Sequence, residues 1–448
     1  MTPTALTFCL FATLLSLQDA PSTLGHANGV KIGEVTQASV VLWTRLTRRA
    51  EADHRVPEWD PDDPHWMVPG AGGAVRFVLR SGDETVRETD WARVDASSDY
   101  CHQVRLTNLE PDTTYTFEAQ GRSGESRSRF EGSFTTAPKP SADRAIDFVV
   151  STCQDFTRRD DLENGHVIYR SMLTLEPDFF VQTGDTLYYD KPEPFAKDAA
   201  TARYKWNRLY ALPNLRALHA SVPTYWMHDD HDLLKDDCWP GQSYGDLTWS
   251  QGLAIWREQI PQSDKPYRTF RWGQHLQVWL PEGREFRSPN TDPDGPEKSI
   301  LGREQWRWLE ASLRESDATF KVYLSATPVV GPDRKNKRDN HANANFSFEG
   351  KRLRALLEST PGCFVINGDR HWQYESIDPE TGLRALGCGP ASDAHAGGFR
   401  MELQEEWQPF LRIAGGFLSG HVTAEAITLR HHDVKGAVVH EVTIPAPR

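Results

Sequence analysis

The sequence predicts an α/β protein, a mixed-sheet α/β domain behind a small N-terminal β-sandwich. Three observations predict it. Residues 26–137 read as strands alone, with β-branched and aromatic runs separated by polar turns. After residue 145, strand-like runs alternate with helix-like ones, the pattern of an α/β unit. The C-terminal stretch "AEAITLRHHDVKGAVVHEVTIP" returns to strand pairs, so the sheet is mixed rather than wholly parallel.

In the N-terminal module, "SVVLWTRL" and "VRFVLRS" are strand-like. In "CHQVRLTNLEPDTTYTFEAQG", Leu109-Glu110-Pro111 turns the chain, and Tyr115 and Phe117 then alternate with polar neighbours. A tyrosine in that place resembles the tyrosine corner of fibronectin III and immunoglobulin-like (Ig-like) sandwiches. Residues 48–73, with "EWDPDDPHW", break the strand pattern and are expected as a surface insertion. "TTAPKPSADR" is a polar, Pro-containing linker, which sets a sandwich at 26–137, a linker at 138–144 and an α/β domain at 145–448. That domain reads in order as strand "AIDFVVST", helix "HVIYRSMLTLE", strand "DFFVQTG", helix "ARYKWNRLYALPNLRAL" and strand "VPTYWMHDD". It continues as amphipathic helix "GREQWRWLEASLRES", strand "FKVYLSATP", helix "GKRLRALLES" and strand "CFVINGD".

A chain of 448 residues can bury a large core without disulfide staples. Its formal charge of -13 argues against a general nucleic-acid binder. A protein so acidic that acts on anions needs local positive charge, from metal ions or a few placed arginines. Residues 5–17, "ALTFCLFATLLSL", are short for a membrane span and right for a signal-peptide core, with small residues following in "QDAPS". Residues 1–20 are therefore expected as an export signal, leading to the periplasm or beyond, although the segment before the apolar run has no Lys or Arg. Cys9 would leave with it, and the remaining Cys101, Cys153, Cys238, Cys363 and Cys388 are odd in number and cannot all pair.

The chemistry lies where strands stop. "VVSTCQD" ends in Cys153 and Asp155, and "VQTGDTLY" in Asp185 and Tyr188. "YWMHDDHDLLKDD" carries Asp229, Asp230, His231, Asp232 and Asp236, and "VINGDRHW" carries Asp369 and His371. Sites in α/β sheets gather outside the carboxyl ends of strands. Carboxylates converging in one cleft repel each other unless a multivalent cation joins them. Imidazole, thiolate and phenolate donors beside them point to a metal centre, with the phenolate suited to Fe(III) and the acidic run to Ca²⁺ or Mg²⁺. Alone, each end reads as a turn, a cap or a buried thiol; four together in one chain read as ligands. Tyr189 reads as packing and Asp190 as solvated.

These residues resemble the alkaline phosphatase D (PhoD-like) metallophosphatases of the calcineurin-like superfamily. "STCQD", "GDTLYYD", "DDHDLLKDD" and "NGDRHW" occur in that family's order, together with "LPEGREFRS" and "SILGREQWRWLEASLRESDATFKVYLSATP". The resemblance implies a calcineurin-like α/β/β/α sandwich and a mixed Fe³⁺ and Ca²⁺ centre that cleaves phosphoesters. It implies Cys153 and Tyr188 as iron ligands and Asp185 as a carboxylate shared between metals. Asp229 or Asp230, with Asp236, fall on the calcium side, and Asp369 and His371 match the ligands of the last motif. The chain departs from the pattern at Asp236, often Asn, at His228, usually Trp, and in lacking a second His in the last motif.

The expected reaction is hydrolysis of phosphomonoesters or phosphodiesters by a metal-bound hydroxide. His231 is the candidate to protonate the leaving group or hold the phosphate, and Arg284 the candidate phosphate clamp. The basic loop 331–345 is expected to face anionic substrate or solvent, with His341 and Asn343 as pocket candidates. The alternatives are a purple-acid-phosphatase-like hydrolase, which would show Gly-Asn-His-Glu or Gly-Asn-His-Asp and Gly-His-x-His motifs, and a non-catalytic secreted metal-binding protein.

Overall fold

A computed structural model describes residues 23–52, 68–334, 336–400, 403 and 406–447. The expected export signal with Cys9 lies outside the described residues, as do positions 53–67 of the expected surface insertion.

Alternation along the strands builds the layers. Phe148, Val150, Phe179, Val181, Tyr225 and Met227 point to one core, while Val149, Phe180 and Trp226 point to another. Successive strand side chains face opposite ways, so each strand of this sheet is apolar on both faces. The second sheet does the same: Val278, Leu280, Val322, Leu324, Phe364 and Ile366 meet the first core, and Trp279, Tyr323 and Val365 face away from it. The shared core is the layer between two sheets. Helices Val167–Leu173, Ala199–Tyr210, Pro213–His219 and Trp249–Gln259 cover the outer face of the first sheet. Helices Gly302–Glu315 and Ser347–Glu358 cover the outer face of the second. This is the expected α/β/β/α sandwich.

The first sheet has nine strands. Ile146–Ser151, Phe179–Thr183 and Thr224–Met227 run parallel at its centre, and the C-terminal strands Phe417–Val422, Ala426–His432 and Val438–Pro445 extend one side as antiparallel partners. Its other side comes from the N-terminal module. Val30–Gly33 pairs parallel with Thr224–Met227 at Gly33 and Thr224, and Ser39–Arg45 and Cys101–Thr107 follow outward. The sandwich thus places three strands in the main sheet, while Gly73–Ser81, Glu84–Glu88, Ala92–Val94, Thr114–Ser123 and Ser126–Thr135 form a separate five-stranded sheet. Tyr115 closes its corner by accepting a hydrogen bond from the Glu110 N–H at 2.9 Å.

The helix read from "ARYKWNRLYALPNLRAL" is two helices, because Pro213 begins the second at a position where its missing N–H is harmless. The stretch read as linker is fastened at both sides, by Gln37 to the Pro138 carbonyl at 3.2 Å and by His275 to Asp143 at 3.0 Å. Cys101, Cys153, Cys238, Cys363 and Cys388 are all unpaired.

Candidate metal centre

The two sheets meet at the carboxyl ends of their parallel strands. Gly184 and Gly368 sit where they touch. A Cβ on Gly368 would lie 2.4 Å from the Thr183 carbonyl and from Thr152 Oγ1, and one on Gly184 would lie 2.8 Å from Asp229 Cβ. Glycine lets the strand ends approach to this distance. The next residue in each case, Asp185 and Asp369, takes a left-handed conformation with φ of 50° and 63°, and Cys153 does the same at 51°. Left-handed backbone is uncommon outside glycine and asparagine-like residues, and such strain gathers at functional sites. Here it turns three potential ligands inward off the strands.

Asp185 lies at the centre. Its Oδ2 accepts from Cys153 Sγ at 3.3 Å and from the Tyr188 hydroxyl at 3.1 Å, and that hydroxyl is 3.4 Å from His371 Nε2. Three donor sets share it: Cys153 with His371, Asp229 with Asp369, and Asp230 with His231, each with its ligand atoms within 4.8 Å of one another. Of the adjacent pair Asp229 and Asp230, both point inward. Asp185 Oδ1 and Asp229 Oδ2 are buried with no hydrogen-bond partner. Buried acceptors left unpaired are expensive, and a bound cation or an ordered water satisfies such groups.

The electrostatics point the same way. Burial, opposed by His231 and reinforced by Asp230, Asp232 and Asp369, pushes the Asp185 carboxyl up to about 7. Burial likewise raises Asp229 against the pull of Arg284, and Asp369 against that of Arg370. Burial and the Asp185 charge hold the Cys153 thiol and the Tyr188 phenol well above their ordinary values. Burial holds His371 well below its ordinary value, so it stays neutral and keeps a lone pair. A cation among these groups reverses the penalty on each acid and deprotonates the thiol. The residues fit a metal centre, with mixed S, N and phenolic O donors at one end and carboxylates at the other.

Around this core the sequence expectations divide. His231 is buried, and its Nδ1 is 2.7 Å from Asp190 Oδ1. Asp190 is not solvated: its side chain is 14% exposed and also accepts from the Asp236 N–H at 2.8 Å. Asp232 braces the site, accepting from the Asp229 and Leu187 N–H groups at 2.8 and 3.1 Å. Asp236 joins Asp230 and Asp237 in a cluster at the rim. Arg284, expected to clamp substrate, is 1% exposed and engaged by Asp229, by Asp339 at 3.0 Å and by Asp230 at 3.8 Å. It gathers the carboxylates. His341 faces Glu349 at 3.5 Å, and Asn343 caps the turn Ala344–Phe346, so neither is among these donor sets.

Sequence reading missed Asp190, Lys337, Asp339 and His395. The His395 ring lies 4.1 Å from that of His371, and its Nδ1 donates to the Cys153 carbonyl at 3.0 Å, which leaves Nε2 as the lone-pair nitrogen. Its signal was a histidine in the Gly-rich "CGPASDAHAGG", with no strand end to mark it. Asp339 and Lys337 lie in the loop noted only for its basic residues.

The sequence profile of the PhoD-like phosphatases matches residues 148–377, and that of their N-terminal domain matches residues 13–138. The chain belongs to the PhoD-like phosphatase family. Alkaline phosphatase D of Bacillus subtilis (strain 168) is 24% identical over 410 residues, covering 80% of this chain. The chain spans 65% of the length of that relative. Among solved structures, one of PhoD superposes with a TM-score of 0.76 at 19% identity, covering 94% of this chain and 89% of that one. A purple acid phosphatase from yellow lupin (Lupinus luteus) seeds superposes with a TM-score of 0.64 at 12% identity, covering 94% and 75%. At these identities the likeness speaks for the PhoD-like fold, and the sheets and layers described above are that fold.

Proposed function

We propose that this PhoD-like chain is an exported, metal-dependent phosphoesterase that hydrolyses phosphomonoesters or phosphodiesters. The observation that carries the reading is Asp185, a buried carboxylate shared by three donor sets, with one oxygen unpaired. Cys153, Tyr188, His371 and Asp185 would hold Fe³⁺, and the carboxylates Asp229, Asp230 and Asp369 would hold Ca²⁺, with Asp236 in the separate rim cluster. Bound there, the ions would supply Lewis-acid stabilisation of the phosphoryl oxygens and activation of water.

The chain's own groups do the rest. Asp190 can only accept, so the 2.7 Å contact holds a proton on His231 Nδ1 and turns Nε2 toward Asp236, 3.5 Å away. Before ions bind, Asp230, Asp185 and Asp190 outweigh burial and raise the His231 pKa to about 10; ions on Asp185 and Asp230 would weaken that pull, and the Asp190 contact would remain. A protonated Nε2 at the rim can donate to a leaving-group oxygen or hold the phosphate. Arg284 keeps Asp229 and Asp230 from repelling each other before ions bind. The export half of the proposal rests on the apolar core of residues 5–17.

The test is metal analysis of protein purified with its native ions, with assays on a chromogenic phosphomonoester and a phosphodiester before and after chelation. Activity should track metal content, and full activity in metal-free protein would overturn the reading. A visible charge-transfer band should accompany the loaded protein and weaken or shift in Tyr188→Phe.

A further inference from the structure

Beyond the donor sets of Asp185, at the rim, a lysine stands inside a carboxylate cluster. Asp230, Asp236 and Asp237 bring one oxygen each to within 4.8 Å of one another, an all-oxygen arrangement that suits a hard cation. Lys337 Nζ is already there, 2.6 Å from Asp237 Oδ1 and 3.2 Å from Asp236 Oδ1, on a side chain only 10% exposed.

The placement is built. Asp333 forms an ion pair with Arg370 at 2.5 Å, and Asp339 one with Arg284 at 3.0 Å, every partner 1% exposed. These two buried pairs pin the loop four residues before Lys337 and two after it. The Lys337 N–H also donates to the Arg334 carbonyl at 3.0 Å. A side chain on a segment held at both flanks is delivered to one place. On the other side, the Asp237 N–H donates to Asp230 Oδ2 at 2.5 Å, and Asp237 itself is left-handed with φ of 56°. Both the acids and the ammonium are therefore positioned by the fold.

We propose that Lys337 is the resident cation of the Asp230–Asp236–Asp237 cluster, and that its ammonium holds the place a divalent ion would otherwise take. The inference rests on the metal-centre reading above. Three carboxylates so close need positive charge, and a tethered ammonium supplies it without dissociating. An incoming ion must displace that charge, so the lysine weakens binding of a divalent cation at this outer position.

The test is calorimetric titration of the full chain with Ca²⁺, as wild type, Lys337→Gln, Lys337→Met and Lys337→Arg. Either neutral variant should bind Ca²⁺ at least tenfold more tightly at one added site, and Lys337→Arg should behave as wild type. Adding Asp237→Asn to Lys337→Gln should remove the gain. Equal or weaker Ca²⁺ binding in both neutral variants overturns the proposal, as does a gain that survives Asp237→Asn. Phosphoesterase activity and metal content are measured on the same samples. If they persist while the Ca²⁺ gain fails, the Lys337 assignment alone falls; if both are absent from the wild type, the metal-centre reading falls with it.

Discussion

Asp185 shows how much one residue can carry. Its backbone is held left-handed, its carboxylate lies at the junction of three donor sets, and one oxygen is left without a protein partner. Asp190, five residues on, acts through another group, orienting the His231 ring by accepting from its Nδ1 at 2.7 Å. Asp190→Asn should lower kcat roughly 100-fold, the scale of a misplaced proton donor, with metal content and KM nearly unchanged; lost metal would show that Asp190 shapes the ion site instead. Glu349 makes a separate prediction. Burial raises its carboxyl, but His341, the Ser299 hydroxyl and the Ile300 N–H outweigh that and leave it at about 2, below the ordinary 4.5. A depressed carboxyl stabilises the fold fully above its unfolded value and progressively less as pH falls toward about 2. Glu349→Gln should therefore lose roughly 3 kcal/mol near neutral pH and show a flatter loss of stability between pH 5 and 2, read by acid unfolding.

At the scale of elements, the strand ends carry the candidate metal centre. Four were legible in the sequence because each couples an apolar strand to a candidate ligand within a few residues. The strand gives a period of two, and the residues just past it fall at the sheet edge, so local pattern predicts position. The glycine of each Gly-Asp pair has a packing role besides, since the strand ends of the two sheets touch at Gly184 and Gly368. Gly368→Ala should destabilise by about 1–3 kcal/mol, because its Cβ would meet the fixed Thr183 carbonyl at 2.4 Å. A fall in thermal midpoint with reduced metal affinity is the expected result; unchanged values for both would show that the sheets part without penalty. The loops were less legible. Asp339 and His395 reach the centre, and Lys337 its rim, on irregular segments, where no periodicity marks which side chains turn inward.

At the scale of the whole molecule, the N-terminal module is built into the main sheet, and buried polar groups lock it there. Asp99 pairs with Arg45 at 3.0 Å and accepts from Asn207 and Gln259 at 2.9 Å each, joining the module to helices Ala199–Tyr210 and Trp249–Gln259. Lys31 lies between the Trp43 and Tyr210 rings, 3.7 and 3.5 Å from their centroids, and donates to the Gln259 carbonyl at 2.6 Å. Asp99→Ala strands the Arg45 charge in the interior, and should destabilise the metal-free protein by about 3–5 kcal/mol in chemical denaturation. A shift under 1 kcal/mol would mean that water reaches the seam. The residue order by itself determined the α/β alternation, the tyrosine corner and the four strand ends that carry the candidate ligands, because each is written in neighbours a few positions apart. Only the tertiary structure decided that strand Val30–Gly33 joins the sheet beside Thr224–Met227, that Arg284 gathers acids, and that Lys337 enters their cluster. Those pairings span from about 50 to nearly 200 residues, and what selects them is the burial of charge and edge strands in the folded whole, which no local pattern encodes.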